Sequence, residues 1–247
     1  RRQRQMCIRD SLKSAPGLRE LTSRTDYIVN SSSDIFLFMS ARHGDEWLDD
    51  FAFVSRSRDG GETFEYVSRI NPPGDDNRGV MPSAVRVSDS RIVACLRRRD
   101  RSAGLIPGGY DISWIDCYRS DDNAGSWYFT SRLDETAHNN GNPPALRRLP
   151  NGLIAAVYGV RAWYPDSARI SLRVSADDGA TWDAVGERRL RDGFHMDRCG
   201  DESDSGDLGY PRLLALPGGR LRAVYAWAER DDENYMASTL FEIVSNY

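Results

Sequence analysis

Short apolar runs separated by turn-forming residues follow one another along the chain from about residue 26. Three stretches share a pattern in which a proline precedes two apolar runs joined by a tight polar turn. They occupy residues 81–96, 143–158 and 210–225. A proline at a strand entrance, where no ladder amide is needed, followed by strand, turn and strand is typical of a β-hairpin. The pattern therefore predicts three equivalent hairpins, with Met81, Pro143 and Tyr210 at equivalent positions 62 and 67 residues apart.

A second repeat lies in the turns between other strand-like runs. Its best copy, at residues 175–182, reads Ser-x-Asp-x-Gly-x-Thr-Trp, and further copies occupy residues 57–64 and 120–127. Serine and aspartate side chains can hydrogen-bond to turn amides, and glycine can adopt the positive φ that such a turn needs. We expect Trp182 to fold its ring back onto the blade that the turn closes. A calcium loop is the competing interpretation, but the ligand count and the terminal glutamate are missing.

The spacing of these serine–aspartate turns predicts the architecture. Their first residues are 63 and 55 positions apart, which suits one four-stranded propeller blade, somewhat longer than the ~40–45 residues of a WD40 blade. The chain is therefore predicted to be all-β, a β-propeller of four-stranded blades. About four blades fit into it, and because propellers close with about four to eight, we expect six in the intact protein.

The ends of the predicted domain follow from the same pattern. Runs at residues 26–29, 35–39 and 51–55 supply most of a first blade, and residues 235–244 could supply the closing strands. The propeller is therefore expected to span residues 26–247. Residues 1–25 show no helical or strand period and do not resemble a signal peptide. We expect that segment to be non-native or disordered, with the natural protein continuing upstream, so the sequence indicates no compartment.

Composition narrows the classes of function. A formal net charge of −4 gives no electrostatic reason to expect nucleic acid. No apolar run approaches the ~18 residues of a membrane helix. The four cysteines show no metal or redox spacing, so neither a metal nor a cofactor is expected. Cys95 and Cys117 could face each other on neighbouring strands, although the sequence does not establish a bond between them.

The serine–aspartate turn closely resembles the Asp-box, or bacterial neuraminidase repeat, of sialidases. In that family an inner hairpin of the form Asn-Glu-Pro, then Leu-x-Asp-Gly, ends in an arginine that binds the substrate carboxylate. Here Pro82, Val87 and Asp89 match that pattern, and Arg97 takes the arginine position. Met81 stands where the family has the glutamate that activates its nucleophile, which is a departure from the pattern.

The resemblance also covers the last predicted blade. The family's closing blade reads Gly-Tyr-Ser, then Leu-Pro-Asp-Gly, then Leu-Tyr, and Gly209-Tyr210-Pro211 begins the same order here. The resemblance implies that Tyr210 is the nucleophile. A neutral phenol suits an anomeric centre beside a carboxylate that would repel Asp or Glu, and tyrosine sialidases are an exception to paired-carboxylate hydrolysis. The alternative for Tyr210 is an aromatic side chain that packs into the channel at a strand start.

The same family implies an arginine cluster that binds a carboxylate, since guanidinium offers a planar, bidentate fork. Arg97 fits by register, Arg161 ends the equivalent hairpin of the next blade, and Arg169 lies where the family places its last arginine. A solvated or structural role is the alternative for each of them. Asp207, in the loop before Tyr210, could line the same mouth.

The function implied is a sialidase-like glycoside hydrolase that removes a terminal sugar, acidic or not, from a glycan. The family's general acid/base would lie upstream of this sequence. Two alternatives stay open: a non-catalytic glycan-binding propeller, and another carbohydrate-active enzyme such as a lyase, because a fold alone does not determine chemistry.

Overall fold

The computed structural model describes residues 20–42, 50–100, 112–138, 141–161, 168–193, 208–228 and 234–243. Within these residues four antiparallel sheets follow one another along the chain. The first contains β1 (Glu20–Val29), β2 (Ile35–Arg42), β3 (Asp50–Ser57) and β4 (Glu65–Arg69). The second contains β5 (Arg78–Arg86), β6 (Ile92–Arg99), β7 (Ile112–Ser120) and β8 (Tyr128–His138). The third contains β9 (Ala145–Arg148), β10 (Ile154–Val160), β11 (Arg169–Ser175) and β12 (Arg188–Arg191). The fourth contains β13 (Gly209–Ala215), β14 (Arg220–Ala228) and β15 (Asn234–Glu242), with a single 3₁₀ turn at Pro217–Gly219.

Each sheet is an up-and-down meander in which strands adjacent in sequence are hydrogen-bonded neighbours. The first strands of the four sheets, β1, β5, β9 and β13, contact one another in that order. Sheets that radiate from a common set of inner strands are propeller blades. The prediction of an all-β propeller is confirmed, and the described residues form four blades.

The first strand begins at Glu20 rather than at residue 26. The register of β1 against β2 shifts between Thr22 and Asp26. This bulge interrupts the alternation of inward and outward side chains, so the sequence pattern becomes regular only after it. Residues 20–25 therefore belong to the first blade.

Apolar clusters lie between neighbouring blades. Phe36 and Phe38 of the first blade pack with Leu96 and Tyr118 of the second, and comparable clusters join the second blade to the third and the third to the fourth. Strands β6 and β10 are buried along their whole length. Residues 92–96 of β6 and the whole of β10 read as continuous apolar runs, as expected for strands that other blades cover on both faces. Arg97, Arg98 and Arg99, which end β6, are buried as well.

Cys95 and Cys117 lie directly opposite each other on β6 and β7 and form a disulfide. The sequence had left this bond open, because facing positions on paired strands cannot be assigned from spacing alone. Cys7 and Cys199 lie outside the described residues.

The three serine–aspartate turns share one hydrogen-bond pattern. In the best copy the amide of Gly179 donates to Ser175 Oγ (2.8 Å), and the amide and hydroxyl of Thr181 donate to the two Asp177 oxygens (2.8 and 2.7 Å). The other two copies repeat these bonds at the corresponding residues. In the copy with the displaced glycine, Ala124 itself adopts a φ of 70°. The turn therefore forms without its glycine, at the cost of a conformation that alanine rarely adopts.

In the two turns that end in tryptophan, the indole contacts the preceding blade. This differs from the expectation that Trp182 folds onto its own blade. Trp182 Nε1 donates to Ser131 Oγ of the second blade (3.1 Å), and Trp127 Nε1 donates to Ser68 Oγ of the first (3.0 Å). Ser131 in turn donates to the carbonyl of Gly179 (2.6 Å). An indole needs a partner for its N–H when it is buried, and the partner lies across the blade boundary. The turns therefore join adjacent blades at the outer rim.

Candidate functional site

Three of the inner strands carry a bulge at the same level of the propeller. In each bulge one residue other than glycine has a positive φ: Arg24 (69°), Met81 (52°) and Tyr210 (48°). The register of each strand shifts at that point. A bulge re-aims a side chain out of the regular pleat. The hairpin repeat in the sequence predicted that Met81 and Tyr210 occupy equivalent positions. It did not predict an equivalent position at Arg24, which lies in the segment expected to be outside the domain.

Hydrogen bonds between the inner strands bring these positions around one axis. Arg24 Nη2 donates to the carbonyls of Pro211 and Pro144, the latter at 3.4 Å. On the other side of β1, Asp26 Oδ2 accepts from the Ser83 hydroxyl (2.7 Å), and Ser83 Oγ accepts from the amide of Leu146 (3.0 Å). All four blades are thus joined at their inner edges, as the equivalence of the three predicted hairpins required.

Tyr210 lies among arginines at this axis. The Arg161 guanidinium carbon is 5.8 Å from the centre of the Tyr210 ring, and Arg161 Nη2 donates to the carbonyl of Leu208 (3.3 Å). Arg97 Nη1 contacts the Met81 sulfur at 3.8 Å. Arg24, Arg97 and Arg161 all interact electrostatically with Tyr210. We call Arg24, Arg97, Arg161 and Tyr210 the axial cluster.

Burial raises the free energy of the charges in the axial cluster. Burial lowers the pKa of Arg97 to about 10; the Tyr210 hydroxyl opposes this effect, and the neighbouring arginines, Arg161 among them, add to it. Burial also lowers the pKa of Arg24 to about 10 and lowers that of Arg161. All three guanidinium groups stay protonated at neutral pH, so the cluster concentrates positive charge where water is largely excluded.

A buried asparagine holds the Tyr210 backbone in place. The amide of Tyr210 donates to Asn142 Oδ1 at 3.0 Å, and Asn142 is fully buried. A Cβ on Gly209 would lie 2.1 Å from that same oxygen, and Gly209 has a φ of 103°. Glycine is therefore required before Tyr210 both for space and for backbone conformation. The Gly-Tyr pair in the sequence was a signal for this bulge, whereas nothing in the sequence pointed to Asn142.

Arg169 and Asp207 are the remaining predicted site residues. Arg169 begins β11, and its Nε pairs with Glu187 Oε1 at 2.7 Å, an oxygen that also accepts from Ser171 Oγ. The ion pair described for Arg169 is therefore with Glu187, and its role in a site stays a prediction. Asp207 lies outside the described residues.

Two further findings concern the described residues only. They contain no group of three or more His, Cys, Asp or Glu side chains placed to hold a metal ion. They also contain no helix long and apolar enough to cross a membrane.

Comparison with known proteins identifies the fold. No protein-family model matches the chain, and no curated protein matches it. Among solved structures, a protein of unknown function from Dyadobacter fermentans aligns at 20% identity with a TM-score of 0.61, over 85% of this chain and 50% of that one. An α-L-arabinanase of Penicillium chrysogenum, solved with arabinobiose, aligns at 15% identity with a TM-score of 0.64, over 88% of this chain and 61% of that one. The GH93 α-L-arabinofuranosidase of Fusarium graminearum, also solved with arabinobiose, aligns at 13% identity with a TM-score of 0.66, over 93% of this chain and 65% of that one.

The likeness to these proteins supports the fold and its class, a β-propeller like those of propeller glycoside hydrolases. The chain spans 50% to 65% of the length of these three proteins. The named enzymes among them act on arabinose-containing substrates, so the likeness does not support the sialidase family that the serine–aspartate turn resembles. The serine–aspartate turn forms hydrogen bonds within itself and with the neighbouring blade. Its role is therefore to join blades, and its presence does not indicate which sugar the protein binds.

Proposed function

We propose that the axial cluster binds the carboxylate of an acidic sugar, and that the protein is a propeller glycoside hydrolase acting on a terminal residue of that kind. The convergence of Arg24, Arg97 and Arg161 on Tyr210 at the propeller axis carries the proposal. Guanidinium groups bind carboxylates bidentately through short, charge-assisted hydrogen bonds. A bound carboxylate would offset the mutual repulsion and the desolvation that lower the pKa of Arg97.

Arg24 offers the clearest donor for such a ligand. Its Nη1 is buried and has no hydrogen-bond partner in the described part of the chain, while its Nη2 is held by the two backbone carbonyls. A buried donor without a partner costs about 1–3 kcal/mol of desolvation. A ligand oxygen at the axis would recover much of that cost.

Tyr210 is the proposed nucleophile. Its phenolic oxygen would form a bond to the anomeric carbon while the glycosidic C–O bond breaks and the phenolic proton passes to the departing oxygen. Water would then replace the tyrosine at the anomeric carbon and return a proton to the phenolic oxygen, which releases the sugar. Adjacent guanidinium groups stabilise negative charge that develops on the phenolic oxygen.

A second candidate is a glycan-binding propeller without catalysis. Met81 favours it, because a thioether at this position contacts Arg97 and cannot accept the phenolic proton. Binding through the arginines would be retained while the step that activates Tyr210 is lost.

The test uses the chain with 4-nitrophenyl glycosides of glucuronic acid, N-acetylneuraminic acid and arabinofuranose. Turnover of an acidic glycoside should be abolished in Tyr210→Phe, since the ring remains and only the attacking oxygen is lost. Arg97→Met should weaken binding of the acidic sugar by about 10–100-fold, the effect of losing a charge-assisted hydrogen bond. Arg169→Met is the matched control, because the ion pair described for Arg169 is with Glu187 and not with a member of the axial cluster.

The outcomes separate the candidates. Binding of an acidic sugar without turnover of any substrate would favour the non-catalytic propeller. Exclusive binding of the arabinofuranoside, unaffected by Arg97→Met, would refute the carboxylate site altogether.

A further inference from the structure

A cavity lies in the groove between the first and second blades, and no residue of the axial cluster lines it. Its volume is about 400 Å³, within the ~300–1,000 Å³ of small-molecule sites. The link between β4 and β5 forms one wall, and side chains of β7 and β8 form the other. Arg98 of β6 lines it as well. We call this cavity the inter-blade groove.

Aromatic side chains dominate the β7–β8 wall of the inter-blade groove. Trp114, Tyr118 and Phe129 all line it. Trp114 and Tyr118 are buried, whereas 55% of Phe129 is exposed, so one flat apolar ring is presented to a ligand. Phe129 packs edge-on against Tyr118 with ring centres 6.0 Å apart, which fixes its orientation. Burial raises the pKa of Tyr118 to about 12, so its hydroxyl stays protonated.

Polar groups converge on the same cavity. The Arg98 side chain is only 2% exposed, and it pairs with Asp75 and lies 3.6 Å from Asp116. Asp116 also accepts from Trp114 Nε1 (2.7 Å). Arg98 Nη1 is buried and has no hydrogen-bond partner among the described residues. Asp75 and Asp116 therefore give the groove two carboxylate acceptors beside its aromatic wall.

The charges of the groove indicate which ligand it suits. Two arginines, Arg98 and Arg132, face two carboxylates, Asp75 and Asp116, and their formal charges cancel. A charged ligand would lose its hydration without a net opposite charge to replace it. This contrasts with the axial cluster, in which guanidinium groups surround Tyr210.

We infer that the inter-blade groove is a binding site for a neutral oligosaccharide, separate from the axial cluster. A sugar ring presents an apolar C–H face that can lie against the exposed ring of Phe129. Its hydroxyl groups can both donate to the carboxylates of Asp75 and Asp116 and accept from Arg98. An apolar wall with a few convergent polar groups is the general composition of such sites. The groove would hold a neutral part of a glycan chain away from the axis.

The experiment titrates the protein with arabinobiose, xylobiose and cellobiose by isothermal titration calorimetry. At least one should bind, and Phe129→Ala should weaken that binding about tenfold or more through loss of the aromatic contact. Phe129→Leu keeps an apolar side chain but loses the flat ring, and should weaken binding to a similar extent. Tyr27→Ala is the matched control, since Tyr27 is a strand aromatic that is 64% exposed and does not line the groove.

The axial variant Tyr210→Phe distinguishes this site from the proposed active site, and it should leave disaccharide binding unchanged. Absence of binding by all three disaccharides would overturn the inference. So would binding that survives both Phe129 variants, or binding that Tyr210→Phe abolishes.

Discussion

At the scale of single residues, the positive φ of Arg24, Met81 and Tyr210 directs three side chains to one level of the propeller axis. Backbone conformations of this kind cost about 1–3 kcal/mol each and persist where surrounding contacts fix them. For Tyr210 that contact is the hydrogen bond from its amide to Asn142 Oδ1. For Met81 it is the hydrogen bond from its amide to Ser40 Oγ, at 3.2 Å. The strain is concentrated where the proposed site lies.

Met81 provides the sharpest test at this scale. Met81→Glu would place a carboxylate where the sulfur now contacts Arg97, and the resulting ion pair would compete with any ligand carboxylate. We expect the affinity for glucuronic acid, measured by calorimetry, to fall about tenfold or more. Met81→Leu carries the same backbone cost without the charge and should bind as the original does. Equal affinity in both variants would argue against a carboxylate at Arg97.

The sequence predicted three of the four residues that lie together in the axial cluster, and their role in a functional site stays a prediction. Arg97, Arg161 and Tyr210 end or begin equivalent hairpins, and hairpin register is a local property that the pattern carries. The sequence pattern did not predict Arg24 or Asn142. Arg24 lies in a strand whose alternation is interrupted by a bulge, and Asn142 is a single amide side chain outside any repeat. Arg169 was placed by resemblance alone, and its partner Glu187 lies 18 residues away on another segment. No repeat or motif in the sequence singled out the aromatic residues of the inter-blade groove.

At the scale of elements, the serine–aspartate turns bind adjacent blades through polar contacts at the rim. Asp177→Ala removes the acceptor of both Thr181 bonds and of the Ser175 hydroxyl. We expect the free energy of unfolding in urea to fall by roughly 1–3 kcal/mol. Affinity for a ligand should hold at temperatures where the variant stays folded. A large loss of affinity in the folded variant would instead move the binding site to the rim.

The aspartates of the same turns make the free energy of unfolding depend on pH in the acidic range. Hydrogen bonds from the Thr63 hydroxyl and amide lower the pKa of Asp59, and the Ser126 hydroxyl lowers the pKa of Asp122 despite burial. Burial raises the pKa of Asp177, but the Thr181 bonds outweigh it and the net pKa is lowered. All three carboxylates thus titrate below the ordinary value of about 3.9.

A lowered folded-state pKa contributes stability that is present above the unfolded-state pKa and is lost as pH falls through the folded value. We therefore expect the free energy of unfolding to decline from about pH 5 towards about pH 2. Asp122→Asn should flatten that decline, and Asp183→Asn, an exposed aspartate outside the turn bonds, is the control. An unchanged slope in Asp122→Asn would show that other carboxylates govern the acid response.

At the scale of the whole molecule, the repeats predicted blades, and the structure confirmed four of them. The repeats did not predict the contacts that hold the blades around an axis. Those contacts join residues far apart in sequence, such as Arg24 and Pro211, and no local pattern encodes such a pair. The number of blades in the intact protein stays a prediction.

The hydroxyl of Ser83 is the best single probe of how the inner strands are held together. It donates to Asp26 of the first blade (2.7 Å) and accepts from the amide of Leu146 in the third (3.0 Å), so one buried group links three blades. Ser83→Ala leaves the Leu146 amide without that acceptor, and we expect the free energy of unfolding to fall by about 1–3 kcal/mol. Ser238→Ala makes the same chemical change at an exposed strand position whose described bond stays within the fourth blade, and should change stability by less than about 0.5 kcal/mol. If the two variants unfold alike in urea, the links between inner strands contribute little, and the apolar clusters between the blades alone hold the propeller together.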